Sequence, residues 1–139
     1  MENKITIYTD GGYSIPKGIG GWAMVVVLND EVIHQEHGTA KNTTSNRMEM
    51  YAFMKAMAYC QHEVTIYTDS KYVEQGYNVW SKSWKEKGWK KADNKDIKNK
   101  DWWELINFHR RNNITVKWVK AHNGNKYNEL VDSLTRDYI

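Results

Sequence analysis

The tetrapeptide Ile-Tyr-Thr-Asp occurs twice in this chain, once ending at Asp10 and once at Asp69. Each copy closes an apolar run and is followed by a turn or helix-start residue, Gly11 or Ser70. If the two runs are neighbouring strands of one sheet, their terminal carboxylates stand side by side. Like charges at that range repel, so such a pair serves to hold a cation or a proton. Two further acids join it by their placement. Glu49 lies early in a Met- and Ala-rich stretch, where Asn46-x-x-Glu49 also fits a capping box. Asp132 lies in the last polar–apolar stretch, where an isolated Asp would ordinarily face solvent. Strand end, helix start, second strand end and last helix together make a four-carboxylate pattern that no one of them makes alone.

The elements that must position these acids alternate along the chain. Lys4 to Thr9, Gly20 to Leu28 and Glu31 to Thr39 read as three strands, the last two joined by the tight turn Asn29-Asp30. Gly11-Gly12 and the stretch from Pro16 to Gly21 read as turn chemistry. A buried helix is expected over Asn46 to Cys60, a fourth strand over Val64 to Thr68, and a short helix over Ser70 to Gly76 capped by Ser70. Helical patterns follow at about 80–87 and 101–111. A fifth strand spans Ile114 to Val119, and a final helix Asn125 to Tyr138. The predicted class is α/β: a five-stranded mixed sheet, three antiparallel strands and then parallel ones, flanked by helices.

Length and composition bound the rest. At 139 residues the chain is expected to form one domain, 1–139, with a core that needs no disulfide. The lone Cys60 suits a reducing compartment, and the N-terminus leads straight into a strand pattern, so the expected location is cytoplasmic. No run of about 18 apolar residues is present, so no membrane partner is expected. Net charge is +3, unevenly spread. Eight lysines between Ser81 and Lys100 face three acids, Glu86, Asp93 and Asp96, which leaves the remainder of the chain mildly acidic. Trp80, Trp84 and Trp89 are interleaved with those lysines, and Trp102-Trp103 follow. A solvated Lys-rich helix would explain the charge; aromatic rings beside lysines fit stacking on sugars or bases better, so this segment reads as a nucleic-acid contact.

Asp10-Gly11, Thr44-Ser45-Asn46-Arg47-Met48-Glu49, Tyr67-Thr68-Asp69-Ser70, His122 and Asn128-Glu129-x-x-Asp132 resemble, in this order, the type 1 ribonuclease H family. The resemblance runs from Lys4 to Tyr138. It includes the Trp- and Lys-rich segment at about 80–100, which looks like that family's basic protrusion. It implies a ribonuclease H-like fold and hydrolysis of the RNA strand of an RNA–DNA hybrid, leaving 5′-phosphate and 3′-hydroxyl ends. Asp10, Glu49, Asp69 and Asp132 match the family's metal-binding carboxylates, which hold two Mg2+ ions, with Mn2+ as a substitute. Hard oxygen donors and a phosphate are what Mg2+ prefers, and two such ions can serve both the attacking and the leaving oxygen. His122 matches a mobile active-site histidine with a role in proton transfer or product departure.

For the substrate, the resemblance places Gly11, Gly12 and Asn46 against the RNA strand and its 2′-hydroxyls, with Ser70 beside them. Thr44 matches a DNA-phosphate contact. Trp84, Lys85, Lys87, Trp89, Lys90 and Lys91 are expected along the DNA strand together with Trp103. The chain departs from the family at Gly12, at Ile15-Pro16-Lys17-Gly18, at Asn42, where an Arg is common, and at Lys71, where Gln is common. A stand-alone, monomeric enzyme is expected. A catalytically inert hybrid- or duplex-binding module is the alternative, and would tolerate loss of an acid. A phosphoacceptor signalling domain would need a wholly parallel sheet, against the antiparallel opening read here.

Overall fold

The computed structural model describes residues 4–121, 123–137 and 139. Three strands open the chain as an antiparallel meander: β1 (Ile5–Ser14), β2 (Ile19–Leu28) and β3 (Glu31–Lys41). Asn29 and Asp30 both take positive φ in the two-residue loop between β2 and β3, which matches the twist of the flanking strands. Helix α1 (Ser45–Tyr59) then returns the chain to β4 (Val64–Thr68), which lies parallel to β1. Next come α2 (Lys71–Gln75), a single π turn over Gly76–Trp80, α3 (Ser81–Glu86) and α4 (Lys100–Phe108). Strand β5 (Ile114–Trp118) pairs parallel to β4, and α5 (Lys126–Arg136) closes the described fold. The strand order is β3-β2-β1-β4-β5, the mixed sheet expected from the sequence.

Alternation along β2 shows how the sheet is covered on both faces. Met24 and Val26 join the cluster built on Phe53 and Met50 of α1 and Trp103 and Ile106 of α4. Ala23, Val25 and Val27 face the other way, onto Val131 of α5. A strand buried on both sides reads as a continuous apolar run, which is why Val25-Val26-Val27 carries no polar residue. Among the described residues no helix is long and apolar enough to cross a membrane.

Two readings of local structure are corrected. Gly11 and Gly12 are not a turn: β1 runs through them to Ser14, pairing Gly11 with Trp22 and Gly12 with Gly21. The reversal comes later, where the Gly18 N–H donates to the Ser14 carbonyl at 2.8 Å. Glycine is needed at position 11 for another reason. A Cβ there would lie 2.4 Å from the Glu49 nitrogen, so only glycine lets α1 approach β1 so closely. The second correction concerns the start of α1. Thr44, not Asn46, is the cap, its hydroxyl accepting from the Arg47 N–H at 3.1 Å. Position three after the cap is therefore Arg47, and Glu49 takes no part in capping. Ser70 caps α2 as expected, accepting from the Val73 N–H at 3.1 Å.

Candidate active site

The doubled tetrapeptide pairs with itself. Ile7 stands opposite Ile66, Tyr8 opposite Tyr67 and Thr9 opposite Thr68, with the two tyrosine rings stacked at 4.9 Å. Asp10 and Asp69 each follow the last matched pair, so the parallel register itself sets them side by side. Thr68 tightens the exit from β4 by accepting from the Ser70 N–H at 3.0 Å. Glu49 arrives from above, on the first turns of α1, through the gap that Gly11 leaves. One carboxylate oxygen from each of Asp10, Glu49 and Asp69 lies within 4.8 Å of the other two.

The electrostatics of this cluster are unfavourable by themselves. Asp10 is 5% exposed and Glu49 7%. Burial, then the charges of Asp69 and Asp132, push the Asp10 carboxyl up to about 8. Burial, then Asp10 and Asp69, raise Glu49 well above the usual carboxylate range. The Glu49 Oε2 atom is buried without a hydrogen-bond partner. Buried polar oxygens are rarely left so, and a cluster of carboxylates with such an atom among its members is suited to a hard divalent cation. The residues present therefore fit a hard divalent cation, which Asp10, Glu49 and Asp69 could hold.

Asp132 stands on α5, against the other side of Asp10, whose pKa it raises by charge and by a shared hydrogen bond. Its own carboxylate accepts from Arg136 one helical turn on, from Nε at 3.0 Å and also from Nη2. It lies outside the mutual 4.8 Å set of the other three. Asp10 is thus the carboxylate common to two groupings, one with Glu49 and Asp69 and one with Asp132. His122 lies outside the described residues.

The residues expected to meet nucleic acid fall into two groups. Gly11, Gly12, Asn46 and Ser70 lie around the cluster, all partly exposed, with Thr44 exposed at the start of α1. Lys85, Lys87 and Lys91 are exposed on the basic segment, and Lys90 is paired with Asp96 at 2.6 Å. Trp84 and Trp89 are half-buried and pack the segment onto the main core. Trp103 is a correction. It is 0% exposed, its ring fills the space beside Gly76, and its indole N–H donates to the Tyr72 hydroxyl at 2.8 Å. No face of it is available to a DNA strand; the α4 position turns it into the core.

Three contacts have no counterpart in the sequence reading. Arg47 stacks on Trp102, 3.8 Å from the ring centroid, while pairing with Asp101 and Asn99. Trp118 donates its indole N–H to the Asp69 carbonyl at 3.1 Å, and the Lys71 ammonium lies 4.8 Å from the centre of its ring. All three join residues about 50 positions apart, for which a single sequence carries no signal.

Comparison with known proteins agrees with this geometry. The family model described as RNase H matches residues 2–139. The ribonuclease H of Francisella tularensis subsp. novicida is 43% identical, over 99% of this chain and 92% of that enzyme. The ribonuclease H of Francisella philomiragia matches at the same identity and the same coverage. Among solved structures, the solution structure of the PFV RNase H domain superposes with a TM-score of 0.85 at 23% identity, covering 99% of this chain and 94% of that one. LC9-RNase H1, a type 1 enzyme with the type 2 active-site motif, superposes at 0.79 and 22% identity, covering 96% of this chain and 71% of that one. These structural likenesses carry the fold; the family match and the Francisella relatives carry the rest. The chain belongs to the ribonuclease H family, enzymes that cleave the RNA strand of RNA–DNA hybrids.

Proposed function

We propose that this chain hydrolyses the RNA strand of RNA–DNA hybrids at the four-carboxylate cluster, with two Mg2+ ions, for which Mn2+ can substitute, leaving 5′-phosphate and 3′-hydroxyl ends. The observation that supports the metal requirement is the convergence of Asp10, Glu49 and Asp69, with the Glu49 Oε2 buried and unpartnered. When bound, such cations polarise the phosphate and make water acidic enough to attack it near neutral pH. The chain supplies the rest. Asp10 belongs to both carboxylate groupings and would be shared between the two cation positions. Glu49 and Asp69 would complete one position, and Asp132, whose Oδ2 accepts from Arg136, would contribute to the other. His122 is assigned the movement of a proton or the release of product. Ionised without a cation, these acids would repel a phosphate, so substrate and cation would bind as mutually dependent ligands.

Gly11, Gly12, Asn46 and Ser70 are proposed to approach the RNA strand, where the 2′-hydroxyl separates RNA from DNA. Thr44 and the exposed lysines 85, 87 and 91 are proposed to hold the phosphates of the DNA strand, with Lys90, Trp84 and Trp89 shaping the segment that carries them. All four carboxylates come from one chain, which supports action as a monomer. The free thiol of Cys60 is compatible with a reducing, cytoplasmic setting.

The test is cleavage of an RNA–DNA hybrid with Mg2+, beside an RNA duplex and a DNA duplex. Only the hybrid should be cut, and only in its RNA strand. Losing a residue that merely supports a metal ligand costs about 10–100-fold, so Asp10→Asn, which removes a ligand charge, should cost more than that. Tight hybrid binding without cleavage in the wild type would leave the inert binding module in its place.

A further inference from the structure

The four acids are not placed by the same means. Asp10 and Asp69 take their separation from the β1–β4 register, and Glu49 takes its place from the close approach of α1 at Gly11. Asp132 stands on α5, which shares no hydrogen-bond ladder with the sheet. In the middle of that helix Val131 is fully buried against Tyr8, Ala23, Val25 and Val27. Apolar contact is non-directional and does not by itself stop a helix from sliding or turning. The two ends of α5 supply what its middle lacks. At the first turn the Tyr127 ring leans on Tyr8, with centroids 5.4 Å apart. Its hydroxyl donates to Asp30, whose carbonyl oxygen lies at 2.8 Å and whose Oδ1 lies at 2.5 Å. At the last turn Thr135 sits on Gly21 of β2, where a Cβ would come 2.9 Å from the Thr135 carbonyl oxygen.

These two anchors lie at opposite ends of the β1–β2 pair. Gly21 is paired with Gly12, whereas Asp30 follows Leu28, the partner of Ile5. Asp132 falls between them along α5, beside Asp10. We infer that the Tyr127–Asp30 latch and the Gly21 seat together fix the height and rotation of α5, and so hold Asp132 at the second cation position. The latch resists sliding along the helix axis, because a phenol hydroxyl on a loop residue has a fixed reach. The seat sets how deeply the far end lies on the sheet. Tyr127 and Gly21 are thus positioning residues that act through the helix. Misplacing a catalytic group by about 1 Å can cost on the order of 100-fold in rate, so loosening either anchor should register in turnover.

The second cation belongs to the hydrolase reading, on which this placement rests, so the test is arranged to separate the two. Tyr127→Phe keeps the ring on Tyr8 and loses only the hydroxyl. Gly21→Ala adds the one methyl for which the Thr135 carbonyl leaves no room. Ile114→Val, at the far end of β5, is the control for a loss of core packing that spares both anchors. Each variant is assayed well below its melting temperature. Both anchor variants should lower kcat several-fold and raise several-fold the Mg2+ concentration that gives half the maximal rate, with the hybrid KM near wild type. Ile114→Val should leave all three near wild type. A second readout needs no cleavage. With a trace of Mn2+ and no substrate, paramagnetic broadening of the Asp132 carboxyl carbon, relative to that of Glu49, should fall in both anchor variants. Wild-type kcat and broadening in Tyr127→Phe overturn the latch, and an equal loss in Ile114→Val overturns positioning in favour of stability alone. Should Gly21→Ala not fold, Tyr127→Phe decides by itself. A wild type that cuts no hybrid, yet shows the change in broadening, would keep this placement and overturn the hydrolase reading instead.

Discussion

Asp10 is protonated more readily in the folded chain than in the unfolded one, since burial and two neighbouring carboxylates hold its pKa at about 8. A group of this kind binds more protons folded than unfolded. Without metal it therefore favours folding at low pH, and that contribution is lost as pH climbs from about 4, the unfolded value, towards about 8. Asp10→Asn removes the repulsion at every pH. In EDTA at pH 8 the variant should be more stable than wild type by about 1–3 kcal/mol. The gap should shrink as pH falls towards 4, and calorimetric melting across that range checks it. Cation binding competes with the same proton, so Mg2+ affinity of the wild type should rise over that interval. A stability difference independent of pH would contradict the charge argument. Asp10 and Asp69 were legible because the tetrapeptide repeats and alternation marks its strands. Glu49 was harder to read, since its spacing from Asn46 imitates a cap; the space left by Gly11, a tertiary fact, decides it.

At the scale of elements, most boundaries followed from period and turn chemistry. Strand β1 did not. Paired glycines read as a break, yet they continue the ladder because β2 supplies partners through Ser14 and α1 presses from one face. The π turn at Gly76–Trp80 was equally unreadable, and the need for glycine at its start comes from α4. A Cβ on Gly76 would come 2.2 Å from the Trp103 ring, so only glycine lets the chain pass that indole so closely. Trp103 itself was assigned to DNA on its company of lysines and tryptophans, and burial overrides the assignment. Removing a large buried aromatic leaves a cavity, so Trp103→Ala should cost about 3–5 kcal/mol in urea unfolding. The salt slope of hybrid binding by the folded variant should match wild type. A lost slope with intact stability would return Trp103 to the interface.

For the molecule as a whole, charge is divided between a basic segment and an acidic centre. Lys85, Lys87 and Lys91 are exposed and stand apart from the carboxylates, whereas Lys90 and Lys100 are both engaged with Asp96. Exchanging the three exposed lysines for Gln should raise KM and make the salt slope shallower by about 1 for each that meets a phosphate, with kcat at saturation little changed. Steady-state cleavage at several salt concentrations separates these outcomes. An unchanged KM would mean that the segment is only a solvated surface.

The self-pairing of Ile-Tyr-Thr-Asp has a bearing on how such a domain can vary. Adjacent strands are held about 4.8 Å apart by their hydrogen bonds, and Asp10 and Asp69 inherit that interval directly from the ladder. Loops, the basic segment and the edge contacts can lengthen, shrink or change charge without widening this calliper. One inserted residue inside either tetrapeptide would turn an acid to the opposite face of the sheet. Grip on the ion and grip on the polymer are thus tuned by different parts of the chain, and one can drift while the other stays calibrated.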